Sequence, residues 1–351
     1  MNPIFLYALH SGNLYGTERM ALYTLDGLRD TFTPVVLAPP GPALAEAEKM
    51  GIQALPFHHT REFASLLRQQ IAGHRQIAFA ATGVSHSLVF NFWNFFYRRR
   101  TVHLHLVHGG TDERESYGRK KLLNGQNVTF VAVSEFVRER LIANGANPAQ
   151  ITVVGNFLPD RRIQESPRRP PFPADGIRTV TVVSRVDPIK RIDLLLNAME
   201  RHPELGDLPV RIFGTGWDFD SLRARARESH PNVIFEGFSE QVGAALANSD
   251  LLLHLCPVEP FGLAVLEAMA AGVPVLVPDR GGAAGLVEEG VSGFHFRAND
   301  ADDLAAVLQR LRQMPMAELN AIAMAADRRL HDCYSSAAGL VKYRNLISGV
   351  A

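Results

Sequence analysis

The feature that most constrains the fold of this chain is a repeated alternation of short apolar runs with amphipathic segments. The apolar runs are rich in β-branched residues, and the segments between them carry apolar residues at helical spacing. This alternation is typical of parallel sheets whose two faces are both covered by helices. The predicted strands are PIFLYAL, TPVVLAP, QIAFAATG, TVHLHLV and VTFVAVS in the first half, and RTVTVVS, PVRIFGTG, NVIFEGF, DLLLHLC and VPVLVP in the second.

A stretch rich in proline and arginine, RRIQESPRRPPFPADG, interrupts this alternation and has no apolar period. Such a composition is typical of a linker, and 351 residues are enough for two cores of ordinary size. We therefore predict an α/β protein with two doubly wound, Rossmann-like domains that face a central cleft. The predicted divisions are an N-terminal domain at residues 1–160, a linker at 161–176, a C-terminal domain at 177–330, and a C-terminal helix at 331–351 that packs back across the domain boundary.

The composition argues against several classes of protein. Lysine and arginine together number 36, as do aspartate and glutamate, whereas proteins that bind nucleic acid usually have a basic excess. Cys256 and Cys333 are far apart and lack metal-ligand spacing, which disfavours a disulfide framework or a structural zinc. No signal peptide or apolar stretch of transmembrane length is evident. A soluble, cytoplasmic protein that does not bind nucleic acid is predicted.

Two glutamates occupy a stretch that is otherwise free of charge. Between residues 251 and 278, Glu259 and Glu267 are the only charged residues, so no lysine or arginine of this stretch can neutralise them. Carboxylates are rarely buried unless something pairs with them. Doubly wound sheets bind ligands where loops leave the carboxyl ends of strands, and DLLLHLC ends just before Glu259. We therefore expect both carboxylates to face the hydroxyl groups of a ligand.

The same stretch predicts an anion site at the start of a helix. Pro260 suits the first turn of a helix, so a helix is expected to begin near Phe261. Free backbone N–H groups and the helix dipole attract anions at such a position, and a glycine there allows close approach of a phosphate. The expected donors are the N–H groups of Phe261, Gly262 and Leu263.

A second strand end carries two cations. VTVVS is followed by a loop that contains Arg185 and Lys190 and then by a predicted helix. An arginine fork and a lysine point charge at one strand end can clamp a diphosphate. A solvated loop is the alternative interpretation, and the neighbouring anion site, which has no cation of its own, favours the clamp.

Arg185 and Lys190, followed by the Glu-x7-Glu element of Glu259 and Glu267, resemble the retaining glycosyltransferases of family 4, which have the GT-B fold. The resemblance extends over nearly the whole chain. The segments that carry it include SRVDPIKRIDLLLNAM, PVRIFGTG, EPFGLAVLEAMAAGVPVLVPDRGGAAGLVEEGVSGFHF, GTERMALYTLDGL and VAVSEFVRERLIANGANPAQITVVGNF.

This resemblance implies a UDP- or GDP-sugar donor and roles for particular residues. Glu259 would bind sugar hydroxyls and Glu267 the ribose, while Arg185 and Lys190 would neutralise the leaving diphosphate. Residues 261–263 would bind sugar and phosphate through backbone N–H groups. The family expectation for the mechanism is a front-face displacement assisted by the leaving phosphate.

The resemblance also assigns residues in the N-terminal half, which would be the acceptor-side domain. His108, at the end of TVHLHLV, matches a histidine that lies near the reacting centre of the sugar. Gly12 and Gly16 belong to HSGNLYGTER, which matches a loop that covers the donor phosphates, but Tyr15 stands where a paired glycine is usual. His103 and His105 share a strand face, and we interpret them as structural histidines with hydrogen-bond partners.

Two patterns imitate other sites. IFGTGWDF followed by Glu236 resembles a dinucleotide fingerprint, but Phe219 replaces its third glycine. The residues Asp218 and Asp220 imitate a metal-binding Asp-x-Asp, but they precede a predicted helix and are better interpreted as an N-cap and a first-turn acid. We therefore expect no metal and no cofactor beyond the nucleotide-sugar co-substrate.

The acceptor is left open among saccharide, lipid-linked, protein and small-molecule classes. SHSLVFNFWNFFYRRR is rich in aromatic residues and ends in three arginines, and residues 119–121 form a second basic cluster. Such a surface could contact an anionic membrane. The alternative is a core helix with cations at its C-terminus. Two other functions also stay open: a sugar-nucleotide epimerase of the same architecture, and a sugar-nucleotide-binding protein without catalytic activity.

Overall fold

A computed structural model, which describes residues 3–110, 112–239 and 241–350, divides the chain into two compact units. The N-terminal unit comprises Met1–Phe157 and Ser336–Ala351, and the C-terminal unit comprises Leu158–Ser335. In both units every observed strand pairing is parallel. The predicted α/β fold with two doubly wound domains is confirmed.

The N-terminal unit is built on a seven-stranded sheet with the order β3-β2-β1-β4-β5-β6-β7. Its central strands are buried on both faces because helices cover the two sides. The strands are β1 Ile4–Ala8, β2 Thr33–Ala38, β3 Gln53–Pro56, β4 Gln76–Ala81, β5 Arg100–Val107, β6 Thr129–Ala132 and β7 Ile151–Val153. The helices are α1 Gly16–Gly27, α2 Pro42–Lys49, α3 Thr60–Gly73, α4 Val84–Tyr97, α5 Glu113–Ser116 and α6 Glu135–Ala143.

The C-terminal unit is built on a six-stranded sheet with the order β10-β9-β8-β11-β12-β13. Its core is formed by aliphatic and aromatic side chains from the sheet and the surrounding helices. The strands are β8 Val180–Val183, β9 Val210–Phe213, β10 Val233–Gly237, β11 Leu251–Leu253, β12 Val275–Pro278 and β13 Phe294–Phe296. The helices are α7 Asp160–Glu165, α8 Ile192–Arg201, α9 Phe219–Ser229, α10 Val242–Ala247, α11 Leu263–Ala270, α12 Ala301–Leu311 and α13 Met316–Tyr334.

The last helix, α14 Ser336–Ile347, belongs to the N-terminal unit. It packs on α1, where a side chain at Gly27 would overlap Leu340. Arg344 anchors it through an ion pair of 2.9 Å with Asp30 and a hydrogen bond to the carbonyl of Gly27. Among the described residues, none of the helices has both the length and the apolar character needed to cross a membrane.

The predicted linker at residues 161–176 is not a free connection. It lies within the C-terminal unit and begins in α7. Arg169 is almost buried, stacks 3.4 Å from the centre of the Phe172 ring and pairs with Asp250 at 2.5 Å. The second carboxylate oxygen of Asp250 accepts the backbone N–H groups of Arg178 and Thr179. Charge pairing and stacking, which have no periodic signal in the sequence, therefore fix this segment.

Candidate functional site

The first candidate site lies where the strand order of the C-terminal sheet reverses. Strands β8 and β11 are adjacent and parallel, so the loops that follow them leave the same edge of the sheet. Such switch points are the usual ligand-binding positions of doubly wound sheets. Arg185 and Lys190 follow β8, and Glu259 follows β11. The topology therefore brings these three residues together.

Lys190 and Glu259 form an ion pair at this edge. The distance from Lys190 Nζ to Glu259 Oε2 is 2.5 Å, and the two side chains are only 16% and 17% exposed. Burial raises the pKa of Glu259, but Lys190, and to a smaller degree His254, overcome this effect and the net pKa is lowered. Burial likewise lowers the pKa of Lys190, but the attraction of Glu259 leaves it raised.

The sequence showed no cation near Glu259 within residues 251–278, and the structure supplies one from another loop. The pair was not predicted because lysine and glutamate are 69 residues apart in sequence, and only the order of the strands makes them neighbours. The assignment of both residues to a donor site stays a prediction.

Arg185 pairs more loosely with Asp187 in its own loop. The distance between Arg185 Nη1 and Asp187 Oδ2 is 3.0 Å, and the arginine side chain is 64% exposed. The loop is held by the glycines of PVRIFGTG, since a Cβ on Gly214 or Gly216 would overlap the carbonyl of Ser184 or Val186. The Gly-x-Gly turn therefore allows the backbone of residues 214–216 to pack closely against the loop that contains Arg185.

The start of α11 differs slightly from the prediction. The helix begins at Leu263 rather than near Phe261, and Gly262 is its N-cap with φ of +103°, a left-handed conformation that favours glycine. Phe261 is buried, with its ring 6.0 Å from that of Tyr334. The Pro260–Gly262 turn leaves the first N–H groups of the helix at the edge of the sheet, as an anion site requires.

Two glycines that sequence reasoning missed support this turn. The N–H of Gly282 donates to the carbonyl of Glu259 at 2.6 Å, and a Cβ on Gly282 would overlap the carbonyl of Pro260. Gly281 has φ of +88°, so the paired glycines after β12 are required by backbone contact with the glutamate loop. The signal was present in the sequence as DRGGAAG.

Glu267 lies on α11, one element away from the ion pair. Its side chain is 29% exposed, and Oε1 lies 3.7 Å from Nη2 of Arg162 on α7. A cation from outside residues 251–278 therefore lies near Glu267, and the separation of these two atoms is longer than a hydrogen bond. The predicted contact with a ribose stays a prediction.

His254 is a member of this site that sequence reasoning missed. It directly follows β11, is almost buried, and its Nε2 lies 3.7 Å from Glu259 Oε2. Within the described part of the chain, this buried Nε2 has no hydrogen-bond partner. Burial lowers its pKa to about 4, with Glu259 acting in the opposite direction, so the ring is neutral near pH 7. Its position directly after β11, a strand at the switch point, is the feature of the sequence that could have indicated it.

The second candidate site lies at the switch point of the N-terminal sheet, between β1 and β4. His10 follows β1 and contacts Thr82 after β4, with 2.8 Å between Nδ1 and Oγ1. His108 follows β5, and within the described residues its buried Nε2 has no hydrogen-bond partner. Burial, and then His10, lowers the pKa of His108 to about 4. The imidazole of His108 is therefore neutral at physiological pH.

The two glycines predicted to contact donor phosphates have different surroundings. A Cβ on Gly12 would lie 2.6 Å from the carbonyl oxygen of Pro40, so close packing alone requires a glycine there. Gly16 is the first residue of α1, and Glu18 of that helix accepts the N–H of Tyr15 at 3.0 Å. Contact of either glycine with a donor stays a prediction.

His103 has hydrogen-bond partners at both ring nitrogens, as predicted, whereas among the described residues the buried Nε2 of His105 has none. Nδ1 of His103 lies 2.9 Å from Asn91 Oδ1, and its Nε2 lies 3.0 Å from Ser87 Oγ. The same hydroxyl lies 2.9 Å from Nδ1 of His105. The network joins β5 to α4.

The aromatic stretch forms α4, and its residues separate into two faces. Phe90 is buried in the core, whereas Phe92, Phe95 and Phe96 are 56%, 71% and 62% exposed. These three phenylalanines are called the aromatic face below. The prediction of a second basic cluster at residues 119–121 is wrong for Lys120, which is buried and donates from Nζ to the carbonyl of Glu115 at 2.7 Å.

The Asp-x-Asp pattern lies at the start of a helix, as expected, but the expected cap of Asp218 is found only in position. Asp218 is the N-cap residue of α9 and Asp220 lies in its first turn, although the side chain of Asp218 makes no cap hydrogen bond. Across residues 3–110, 112–239 and 241–350, no three His, Cys, Asp or Glu side chains converge in a way that could hold a metal ion.

Comparison with known families finds a match within the C-terminal unit. Residues 164–328 match the family model described as glycosyl transferases group 1. The matched range lies inside the C-terminal unit, Leu158–Ser335. The matched range includes the β8–β11 switch point and, with it, Arg185, Lys190, Glu259 and Glu267.

Curated relatives resemble parts of the chain. A GDP-mannose-dependent alpha-mannosyltransferase of Mycobacterium tuberculosis is 32% identical over 163 residues, which are 45% of this chain and 40% of the relative. A D-inositol 3-phosphate glycosyltransferase of Rhodococcus erythropolis is 31% identical over 221 residues, or 52% of this chain and 48% of the relative. The chain thus spans less than half the length of these two relatives.

Solved structures resemble the whole chain. Alr3699/HepE of Anabaena in complex with UDP has a TM-score of 0.82 at 19% identity, with 98% of this chain and 99% of that chain covered. The apo form of the lipopolysaccharide outer core galactosyltransferase WaaB has a TM-score of 0.79 at 17% identity, with 98% and 99% covered. At this identity the likeness shows the fold, which is that of GT-B glycosyltransferases.

Proposed function

We propose that this chain is a retaining glycosyltransferase that moves a sugar from a UDP- or GDP-sugar to an acceptor hydroxyl without a metal ion. The observation that carries the proposal is the convergence of Arg185, Lys190 and Glu259 at the switch point of a glycosyl transferases group 1 domain. Two cations beside a helix start suit a diphosphate, and a carboxylate beside them suits the hydroxyls of a sugar.

In the proposed reaction, the bond between the anomeric carbon and the diphosphate oxygen breaks, and its electron pair leaves with the diphosphate. Arg185 and Lys190 stabilise the negative charge that develops there, and such stabilisation is usually the largest contribution to catalysis of this kind. The acceptor oxygen forms the new bond to the anomeric carbon on the same face of the sugar, and the proton of the acceptor hydroxyl passes to the leaving phosphate oxygen. His108 is neutral, because its pKa is about 4, so it acts by hydrogen bonding rather than as a positive charge.

The two ends of the donor have separate contacts in this proposal. Glu259 binds the sugar hydroxyls. Glu267, about one helical turn beyond the start of α11 and thus roughly 6 Å along its axis, binds the ribose. Two kinds of donor are supported by the similar proteins. Alr3699/HepE was solved with UDP, and one relative is named as GDP-mannose-dependent.

A panel of nucleotide sugars tests the proposal. The protein is incubated with UDP- and GDP-sugars in the presence of a chelator, and release of nucleotide is followed. Slow release of UDP or GDP is the expected result. Interconversion of the sugars would instead assign an epimerase, and binding without any turnover would assign a sugar-nucleotide-binding protein without catalytic activity.

We further propose that the N-terminal unit contacts an anionic membrane through the aromatic face. Its three exposed phenylalanines lie on a helix that contains no acidic residue. Arg98 and Arg100 follow the helix and are exposed, so apolar and cationic groups lie side by side. This combination suits the boundary between acyl chains and anionic headgroups.

Sedimentation with lipid vesicles tests the membrane contact. We expect binding to vesicles that contain phosphatidylglycerol, weak binding to phosphatidylcholine alone, and loss of binding in the triple Phe92→Ser, Phe95→Ser, Phe96→Ser variant. The matched control is Trp217→Ser with Phe238→Ser, which removes two aromatic residues that are 91% and 75% exposed in the other unit. Equal binding of both variants, or no binding of the wild type, would contradict the proposal.

A further inference from the structure

Both cations of the proposed donor site are paired with protein carboxylates in this structure. The pair of Arg185 with Asp187 is open to solvent on the arginine side, and such pairs contribute little. The pair of Lys190 with Glu259 is different, because both side chains are more than four-fifths buried and their charged atoms lie 2.5 Å apart. A diphosphate that takes the lysine must therefore break a buried ion pair.

Breaking this pair would leave Glu259 without its cation in a buried position. An unpaired buried carboxylate is strongly unfavourable, so a replacement partner is needed. His254 supplies one: its Nε2 lies 3.7 Å from Glu259 Oε2, on the same carboxylate oxygen that Lys190 contacts. A shift of about 1 Å would bring the two atoms to hydrogen-bond distance.

The unused hydrogen-bonding capacity of His254 is the second observation. Its Nε2 is buried and has no partner among the described residues, and buried polar atoms are rarely left in this state. The backbone N–H of His254 is fixed to the carbonyl of Leu276 on β12 at 2.8 Å. The ring is thus held beside Glu259 by the sheet, while one of its nitrogens is free to bond.

We propose that Glu259 holds Lys190 in the free protein, and that His254 is the positioning residue that binds Glu259 when a diphosphate takes Lys190. This inference rests on the proposed function, since it requires a diphosphate at Lys190. The protein exchanges one partner of the carboxylate for another: Nζ of Lys190 moves to phosphate oxygens, and Nε2–H of His254 donates to Glu259. Glu259 is thereby kept charged and oriented toward the sugar hydroxyls.

The inference makes an unusual prediction for the conservative variant of Glu259. Glu259→Gln removes the charge that competes for Lys190, so UDP or GDP should bind at least about fivefold more tightly. The matched control is Glu267→Gln, the same chemical change at the residue proposed to bind the ribose, which should weaken binding. Affinities of UDP and GDP for the whole protein are measured by calorimetry, together with thermal unfolding of each variant.

Variants of His254 test whether this residue binds Glu259 when a diphosphate takes Lys190. His254→Phe keeps the ring volume but removes the donor, so UDP or GDP should bind about fivefold less tightly. His254→Gln places an N–H donor near the original Nε2 and should restore the affinity. In the Glu259→Gln background, His254→Phe should change affinity by less than about twofold, because the neutral amide no longer needs a charged-group partner.

The outcomes separate the inference from the proposed function. A wild-type protein that binds neither UDP nor GDP overturns the proposed function and the inference with it. If UDP or GDP binds but Glu259→Gln binds it no more tightly, the proposed function stands and the competition for Lys190 is wrong. If His254→Phe and His254→Gln lower affinity equally, the ring has a packing role only. Should His254→Phe not fold, the Glu259→Gln and His254→Gln affinities still decide the result.

Discussion

The two units share a doubly wound parallel sheet, yet different chemistry lies at the switch point of each. In the C-terminal unit, Arg185 and Lys190 meet two carboxylates at the edge shared by β8 and β11. In the N-terminal unit, the edge near β1, β4 and β5 carries His10 and His108, and burial keeps His108 neutral. The comparison teaches that the same sheet topology places buried, paired charges at the switch point of one unit and a buried, neutral histidine near the switch point of the other.

Among the variants that test this comparison, the largest loss of activity is expected when Arg185 or Lys190 is replaced. Arg185→Ala and Lys190→Ala should each lower turnover by at least about tenfold, because each removes charge stabilisation of the leaving diphosphate. Their stabilities should differ. Arg185 is 64% exposed, so its variant should unfold at nearly the wild-type temperature. Lys190→Ala leaves the buried Glu259 without its lysine partner, so the midpoint temperature of thermal unfolding of this variant should fall.

Steady-state kinetics and thermal unfolding measure both effects. A Lys190→Ala protein that is as stable as Arg185→Ala would show that the ion pair with Glu259 contributes nothing to folding. Full activity of either variant would show that its cation does not clamp the diphosphate.

The second comparison is between the two glutamates. Glu259→Gln should lower kcat more than it changes donor affinity. The reason is that Glu259 would contact groups of the sugar whose charge changes as the glycosidic bond breaks. Glu267→Gln should weaken donor and nucleoside diphosphate alike, by roughly ten- to a hundredfold, because the ribose does not react. Kinetics with a donor and titration with UDP or GDP separate the two. The reverse pattern would exchange the assigned ends of the donor.

The smallest predicted effect is a loss of folding stability at acid pH. The folded-state pKa values of His86, His103 and His108 are lowered to about 4, 3 and 4, mainly by burial, whereas an unfolded histidine titrates near about 6.5. Between these values the unfolded state binds more protons, so stability is lost as pH falls from roughly 6.5 toward 4.

The C-terminal unit has His254 as a comparable group, with a pKa of about 4. We therefore expect the N-terminal unit to lose more stability between pH 7 and pH 5. Hydrogen exchange, resolved by peptide at the two pH values, measures this difference. Equal losses of protection in the two units would contradict the assignment of buried neutral histidines to the N-terminal unit.

The sequence predicted the architecture because burial on both faces leaves a strong pattern in the central strands. It missed β3, β7 and β13 as separate strands. β3 and β7 are only partly buried, and β7 and β13 have three residues each, so their periodic signal is short. The contacts of the predicted linker could not be read from the sequence for a related reason: Arg169 and Asp250 are fixed by charge and stacking, not by an apolar pattern.

For the candidate site, the residues could be named from the sequence, but their contacts could not. Glu259, Arg185 and Lys190 could be named because charged residues beside apolar strands are conspicuous. The contact between Glu259 and Lys190 could not, since it depends on β8 lying next to β11. Lys120 shows the opposite failure: a run of basic residues suggests a solvated cluster, but its lysine stem is buried and only tertiary packing decides this.

The central claim is that the β8–β11 switch point binds a nucleoside diphosphate through protein cations and backbone N–H groups, without a metal. Calorimetric titration of the wild type with UDP and with GDP in the presence of a chelator tests it most directly. We expect binding of at least one of them, weakened at least about tenfold in Arg185→Ala. Complete loss of binding in the chelator, or unchanged affinity in Arg185→Ala, would contradict the claim.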